Sequence, residues 1–228
     1  MTAPPLAMTV AEFDAAAGPG VGADDPRALT AVQRDALREV ANIGAGHAAT
    51  ALSQMTGSPI MISVPTVHVT RLDAVGPQLA PDEGPVAAVL MDMMGDLTGR
   101  TLLVFPKRTV MRVAERMLRR PVGASVALGA LERSAVMEAG NILSGAYLNA
   151  LSDFMGLVLL PSPPALAVDA VSAVLTPEFL RLDAAGYVFV VETEFLMQDV
   201  VAERLRGFFL LLPDPASLRA VLRATRLG

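Results

Sequence analysis

The stretch "EVANIGAGHAATALSQMTGSPIMISVP", Glu39–Pro65, returns 99 residues later as "EAGNILSGAYLNALSDFMGLVLLPSPP", Glu138–Pro164. Glu39, Asn42, Ile43, Gly46, Ala51, Leu52, Ser53, Gly57, Ser63 and Pro65 fall on Glu138, Asn141, Ile142, Gly145, Ala150, Leu151, Ser152, Gly156, Ser162 and Pro164. Identities held at one offset over this length are an internal duplication, and the duplication governs the fold. At a slightly larger offset "GRTLLVFP", ending at Pro106, matches "RGFFLLLP", ending at Pro213. Each of these is followed by a short amphipathic stretch.

Apolar residues at three- and four-residue spacing predict long helices over 30–56 and 128–155, closed by Gly57 and Gly156. Aliphatic and β-branched runs between Gly, Pro and Asp predict strands at 61–70, 86–94, 100–105, 164–168, 187–195 and 207–212. Shorter helices are expected at 107–119, 168–180 and 214–225, with Pro215 suited to a first turn. Neither half buries its apolar strands well alone, so their sheets should fuse across a pseudo-twofold axis. The expectation is one α+β domain over residues 29–228, made of repeats at about 29–120 and 128–226 and joined near "RRPVGASVA", residues 119–127. Residues 1–28, rich in Ala, Gly, Pro and Asp, read as a flexible leader.

Composition removes several classes of function. There is no cysteine, which excludes disulfides and thiolate chemistry and suits a cytoplasmic protein. The two histidines, His47 and His68, leave little material for a metal site or a Ser-His-Asp triad. A net charge of −5 with a single lysine, Lys107, argues against nucleic acid as a partner. The longest apolar runs are cut by Glu138, Asp153 and Pro161, so no membrane span is expected.

Glu39 and Asn42 stand about 60° apart on a helix and share a face. Asp35 and Gly46 extend that stripe, and Ser134, Glu138, Asn141 and Gly145 repeat it. The chain has three asparagines, and two of them occupy the same repeat position with the same glutamate three residues earlier. Asparagine is a mediocre helix former, so propensity does not account for the placement. An amide donates and accepts at once and thus holds a water. That suffices for a phosphoryl group already bound to magnesium and lysine in another protein, where the reaction needs chiefly an in-line water. The glutamate would dock on a cation of that partner.

Asp/Ser-x-x-x-Glu-x-x-Asn followed, after a gap of 22 residues, by Pro65 or Pro164 resembles the signature of the CheC/CheX/FliY family of chemotaxis phosphatases. The likeness covers about residues 30–225. It implies a pseudo-twofold duplicated, sandwich-like fold with a continuous, mostly antiparallel sheet and two long signature helices on one side. It also implies hydrolysis of the aspartyl phosphate of a CheY-type response regulator, with Asn42 and Asn141 orienting the water and Glu39 and Glu138 pairing with the regulator's lysine. Asp35, Gly46, Ser134 and Gly145 would support docking. The resemblance further implies CheD as a partner, magnesium supplied by the regulator and no metal held by this chain; a monomer is expected. The competing expectation is a non-catalytic module that sequesters CheD or phosphorylated CheY. A FliY-type switch component would carry a further C-terminal domain, and a CheX-like protein would carry one signature. His47, where related sequences commonly have Asn, turns away from the stripe and reads as a packing or edge residue. The methionines of "LMDMMG", residues 90–95, read as adaptable core.

Overall fold

The computed structural model describes residues 30–79, 84–180, 187–197 and 203–224. The leader expected at 1–28 lies outside the described residues. The first half contains α1 (Ala31–Thr56), β1 (Ile60–Ile62), β2 (Thr66–Arg71), a 3-10 turn (Leu72–Ala74), α2 (Gly76–Leu79), β3 (Pro85–Gly95), β4 (Gly99–Pro106) and α3 (Lys107–Met117). The second contains α4 (Ala130–Met155), β5 (Leu159–Pro161), β6 (Ala165–Ala170), α5 (Val171–Val174), α6 (Pro177–Leu180), β7 (Tyr187–Met197), β8 (Glu203–Pro213) and α7 (Pro215–Ala224).

Both long helices form where the spacing predicts them. Each ends on a glycine in the left-handed region, Gly57 at φ 69° and Gly156 at φ 65°, the conformation a side chain would strain. At its start α1 has a reciprocal capping box: Gln33 N–H donates to Thr30 Oγ1 at 3.2 Å and Thr30 N–H donates to Gln33 Oε1 at 2.8 Å. Gly129 before α4 has no side chain to cap with. The joint compensates: Arg120 pairs with Glu132, and Ser125 N–H donates to Glu115 Oε1 at 3.0 Å. Glu132's own backbone N–H, seconded by Arg120, holds its carboxyl below the usual carboxylate range.

One sheet runs in the order β1–β7–β8–β4–β3–β5, with β2 also on β7, β6 also on β3, and every pairing antiparallel. The centre is β4 against β8, where Leu102 faces Leu210 and Leu103 faces Phe209. Pro213 trails Pro106 by 107 residues, so these two pairs are each other's counterparts and the local twofold passes between them. The halves are more entangled than a simple fusion of sheets. β1 and β2 of the first half pair with β7 of the second, and β5 and β6 of the second pair with β3 of the first.

The single strand expected at 61–70 is two strands with a bulge between them. Ile62 faces Phe195 and Thr66 faces Glu192, so three residues, Ser63–Pro65, oppose two. The second half repeats this: Pro161 faces Met93 and Ala165 faces Leu90, with Ser162–Pro164 as the bulge. Proline lacks the N–H that a ladder needs, and a bulge is where that costs least. The serines splice the break, since Ser63 N–H donates to Glu194 O and Ser162 N–H to Asp92 O, both at 2.9 Å. β5 had no counterpart among the expected strands, and the helix expected at 168–180 starts as β6 and breaks into α5 and α6.

Period-two alternation splits β4 between two cores. Leu103 and Phe105 face α1, α3, α4 and α7, whereas Leu102 and Val104 face the short helices on the opposite side. α1 and α4 thus lie on one side of the sheet and pack on each other. They meet closely at Gly44, where an added Cβ would sit 2.6 Å from Tyr147 Cδ1 and 3.0 Å from its Cα. Met91 and Met93 are buried in β3, while Met94 is exposed.

Candidate functional site

Each helix buries the same register. Leu37, Val40, Ala41, Gly44, Ala45, Ala48 and Leu52 are buried in α1, and their counterparts 99 residues on are buried in α4. Half a turn from that face lies the polar stripe. Asp35, Glu39, Asn42 and Gly46 are all exposed, as are Ser134, Glu138 and Asn141, with Gly145 half-buried. The side chains of Glu39, Asn42, Glu138 and Asn141 make no hydrogen bond or ion pair with the described residues. Four polar groups on these helices are thus left uncommitted by the described residues.

The glycines divide by role. A Cβ at Gly46 or Gly145 would meet nothing within 4 Å, so their absent side chains serve no internal packing. Gly44, two residues before Gly46, is the packing glycine. Helical spacing from Asn42 puts Gly46 on the stripe and Gly44 on the opposite face, and the neighbouring helix shows what Gly44 packs against.

The flanking residues differ between the stripes. Asp35 Oδ1 lies 3.8 Å from Arg38 Nη1, with both side chains largely exposed. Ser134 instead donates its hydroxyl to Ala130 O on its own helix at 3.1 Å. One turn past the glycines, Thr50 donates to Gly46 O at 2.9 Å, while its counterpart Asn149 is exposed. The sequence reading passed over Arg38 and Asn149; the signal for both was the repeat alignment, which sets Arg38 on Met137 and Thr50 on Asn149. His47 is exposed at the edge of α1, and His68 lies on β2, where burial holds its imidazole below the ordinary value and its Nε2 lies 2.9 Å from Gln78 Oε1. Neither histidine belongs to a stripe.

The stripes are convex helix faces, not clefts. A cavity of about 10 Å³ beneath α1, lined by Leu52, Thr56, Ile60, Val113, Leu143 and Phe195, has room for one water at most. Among the described residues no cluster of His, Asp or Glu is placed to hold a metal ion, and no helix is long and apolar enough to cross a membrane. Small-molecule sites are concave, and these faces are not.

Two intertwined repeats, one antiparallel sheet and twin exposed Glu-x-x-Asn stripes define a duplicated α+β protein. Residues 32–69 and 131–168 each match the model of the CheC-like family. The chain is 35% identical over 185 residues to the CheY-P phosphatase CheC of Bacillus subtilis, covering 80% of this chain and 88% of that protein. It is 30% identical over 153 residues to the flagellar motor switch phosphatase FliY of the same organism, covering 64% of this chain and 40% of that one. The crystal structure of Thermotoga maritima FliY superposes with a TM-score of 0.72 at 25% identity, over 88% of this chain and 98% of that one. The chain belongs to the CheC-like family.

Proposed function

We propose that this chain hydrolyses the aspartyl phosphate of a CheY-type response regulator, working from both stripes. The observation that carries the reading is the pair of exposed, unpartnered Glu-x-x-Asn sets, in a chain 35% identical to a CheY-P phosphatase. Asn42 or Asn141 holds a water against the phosphorus through its amide. Glu39 or Glu138 pairs with the regulator's lysine, which fixes the depth at which the asparagine enters. Gly46 and Gly145 leave space for the regulator's loops. The water oxygen bonds to phosphorus as the bond from phosphorus to the aspartyl oxygen breaks, and the carboxylate leaves with the electron pair. The water's protons pass to solvent and to the departing phosphate. Magnesium on the regulator neutralises the transferring group, so this chain's contribution is positioning.

The decay of a phosphorylated CheY-type regulator tests this with wild-type chain, Asn42→Ala, Asn141→Ala and the double variant. Each single variant should retain one working stripe. The double variant should lose acceleration by on the order of 100-fold, the scale of a misplaced reacting group. Wild-type rates from the double variant would refute the assignment. Binding of the regulator, or of CheD, with no acceleration by any variant including wild type would establish sequestration instead.

A further inference from the structure

We infer that Arg38 is a second active group at the first stripe, donating hydrogen bonds to the phosphoryl oxygens, and that the second stripe lacks its equivalent. The inference rests on the phosphatase reading above. Side chains on a helix lean toward its N-terminus, so a residue covers the turn formed by the positions three and four before it. The Asn42 amide therefore lies over Glu39 and Arg38, and the Asn141 amide over Glu138 and Met137. A phosphoryl group brought to Asn42 meets an anion on one flank and a guanidinium on the other. At Asn141 it meets an anion and a thioether.

Arg38 is available for this. Its side chain is 60% exposed, and its recorded partner is Asp35, 3.8 Å away and 77% exposed. So long and wet a pair binds weakly and is readily exchanged for a better anion. It parks the guanidinium at the Asp35 end of the stripe while the site is empty, and letting go of Asp35 allows it to swing toward Asn42; this gives Asp35 a role that Ser134, bonded to its own helix, does not share. Negative charge spreads over three equatorial oxygens as the phosphoryl group transfers, and the guanidinium fork matches two of them. Arg38 neither gains nor loses a proton in the step. Arg133 does not substitute in the second half: it stands two turns before Asn141 and donates from Nη2 to Leu166 O at 3.4 Å.

The test uses full-length chains with one working stripe each, Asn141→Ala for the first and Asn42→Ala for the second, acting on a CheY-type regulator phosphorylated by acetyl phosphate. Adding Arg38→Met to the Asn141→Ala chain should lower kcat about tenfold with KM little changed, the low end of what a charge-assisted hydrogen bond supplies. Arg38→Lys should recover part of the loss. Adding Met137→Arg to the Asn42→Ala chain should raise kcat several-fold, a gain that misfolding does not imitate. An unchanged kcat for Arg38→Met, or a loss confined to KM, overturns the inference while leaving the Asn42 assignment standing. If the Asn141→Ala chain does not depend on Asn42 at all, the assignment of the first stripe fails and this inference fails with it.

Discussion

α1 and α4 carry the same Glu-x-x-Asn pair on the same exposed register, yet they are anchored by different means. α1 is capped at its start by Thr30 and Gln33, and in its last turn the Met55 carbonyl oxygen accepts from Arg119 Nη2 at 3.0 Å. α4 lacks a capping side chain and is tied down at its start by the Arg120–Glu132 pair and the joint around Ser125. In their shared interface α1 contributes Gly44 and Ala48 where α4 contributes Leu143 and Tyr147. At these two positions the large residue is on the second helix, whereas Leu37 and Val40 of α1 correspond to the smaller Val136 and Ala139 of α4. Duplication preserved the glutamate and asparagine of the outward face and allowed the inward faces to diverge into complementary halves of one core.

The largest measurable consequence of this divergence is in alkali. Tyr147 is buried against Phe209, with ring centroids 4.7 Å apart, and its hydroxyl lies 3.0 Å from Thr193 Oγ1. Burial pushes its phenol up to about 12 from an ordinary 10.0. The fold favours the neutral form, so the associated stability is whole below pH 10 and is lost as pH rises toward 12. It amounts to about 3 kcal/mol. Tyr147→Phe should flatten that alkaline limb in denaturant titrations while costing about 1 kcal/mol near neutrality through the lost hydrogen bond. An unchanged limb would show that another group titrates there. Ala48, the first-half counterpart, makes no such contribution.

The helix interface supplies the next effect. Gly44→Ala places a Cβ against the Tyr147 ring and backbone and should destabilise by about 1–3 kcal/mol, read from the urea midpoint. Gly46→Ala and Gly145→Ala form the contrasting pair. Their Cβ atoms enter open space on a helix and should stabilise each helix by about 0.5–1 kcal/mol. Reduced acceleration of regulator dephosphorylation at each stripe should accompany the gain. Equal activity with the added methyl groups would mean that the partner does not approach that closely.

Much of this was legible in the chain. The repeat, the two helices with their glycine stops, the six central and flanking strand positions and the polar stripe all follow from spacing and turn chemistry, which act within a few residues. β5 escaped notice because three residues beside two prolines carry almost no periodic signal; they become a strand only because Met93–Gly95 lies beside them. Spacing puts Gly46 on the stripe, but that Gly44 is a packing glycine is visible only once Tyr147 lies beside it.

Sequence by itself determined that the protein has two copies of one unit, that each copy presents a glutamate and an asparagine together, and that cysteine and histidine chemistry is largely closed to it. Those properties depend on residue identity and on the helical period, both local. Tertiary structure alone decided that the halves exchange their edge strands and that both Glu-x-x-Asn pairs stand exposed on one side of the sheet with no partner among the described residues. Strand exchange depends on which apolar surfaces a chain can bury together, a non-local quantity. The freedom of a side chain, likewise, depends on everything that does not touch it.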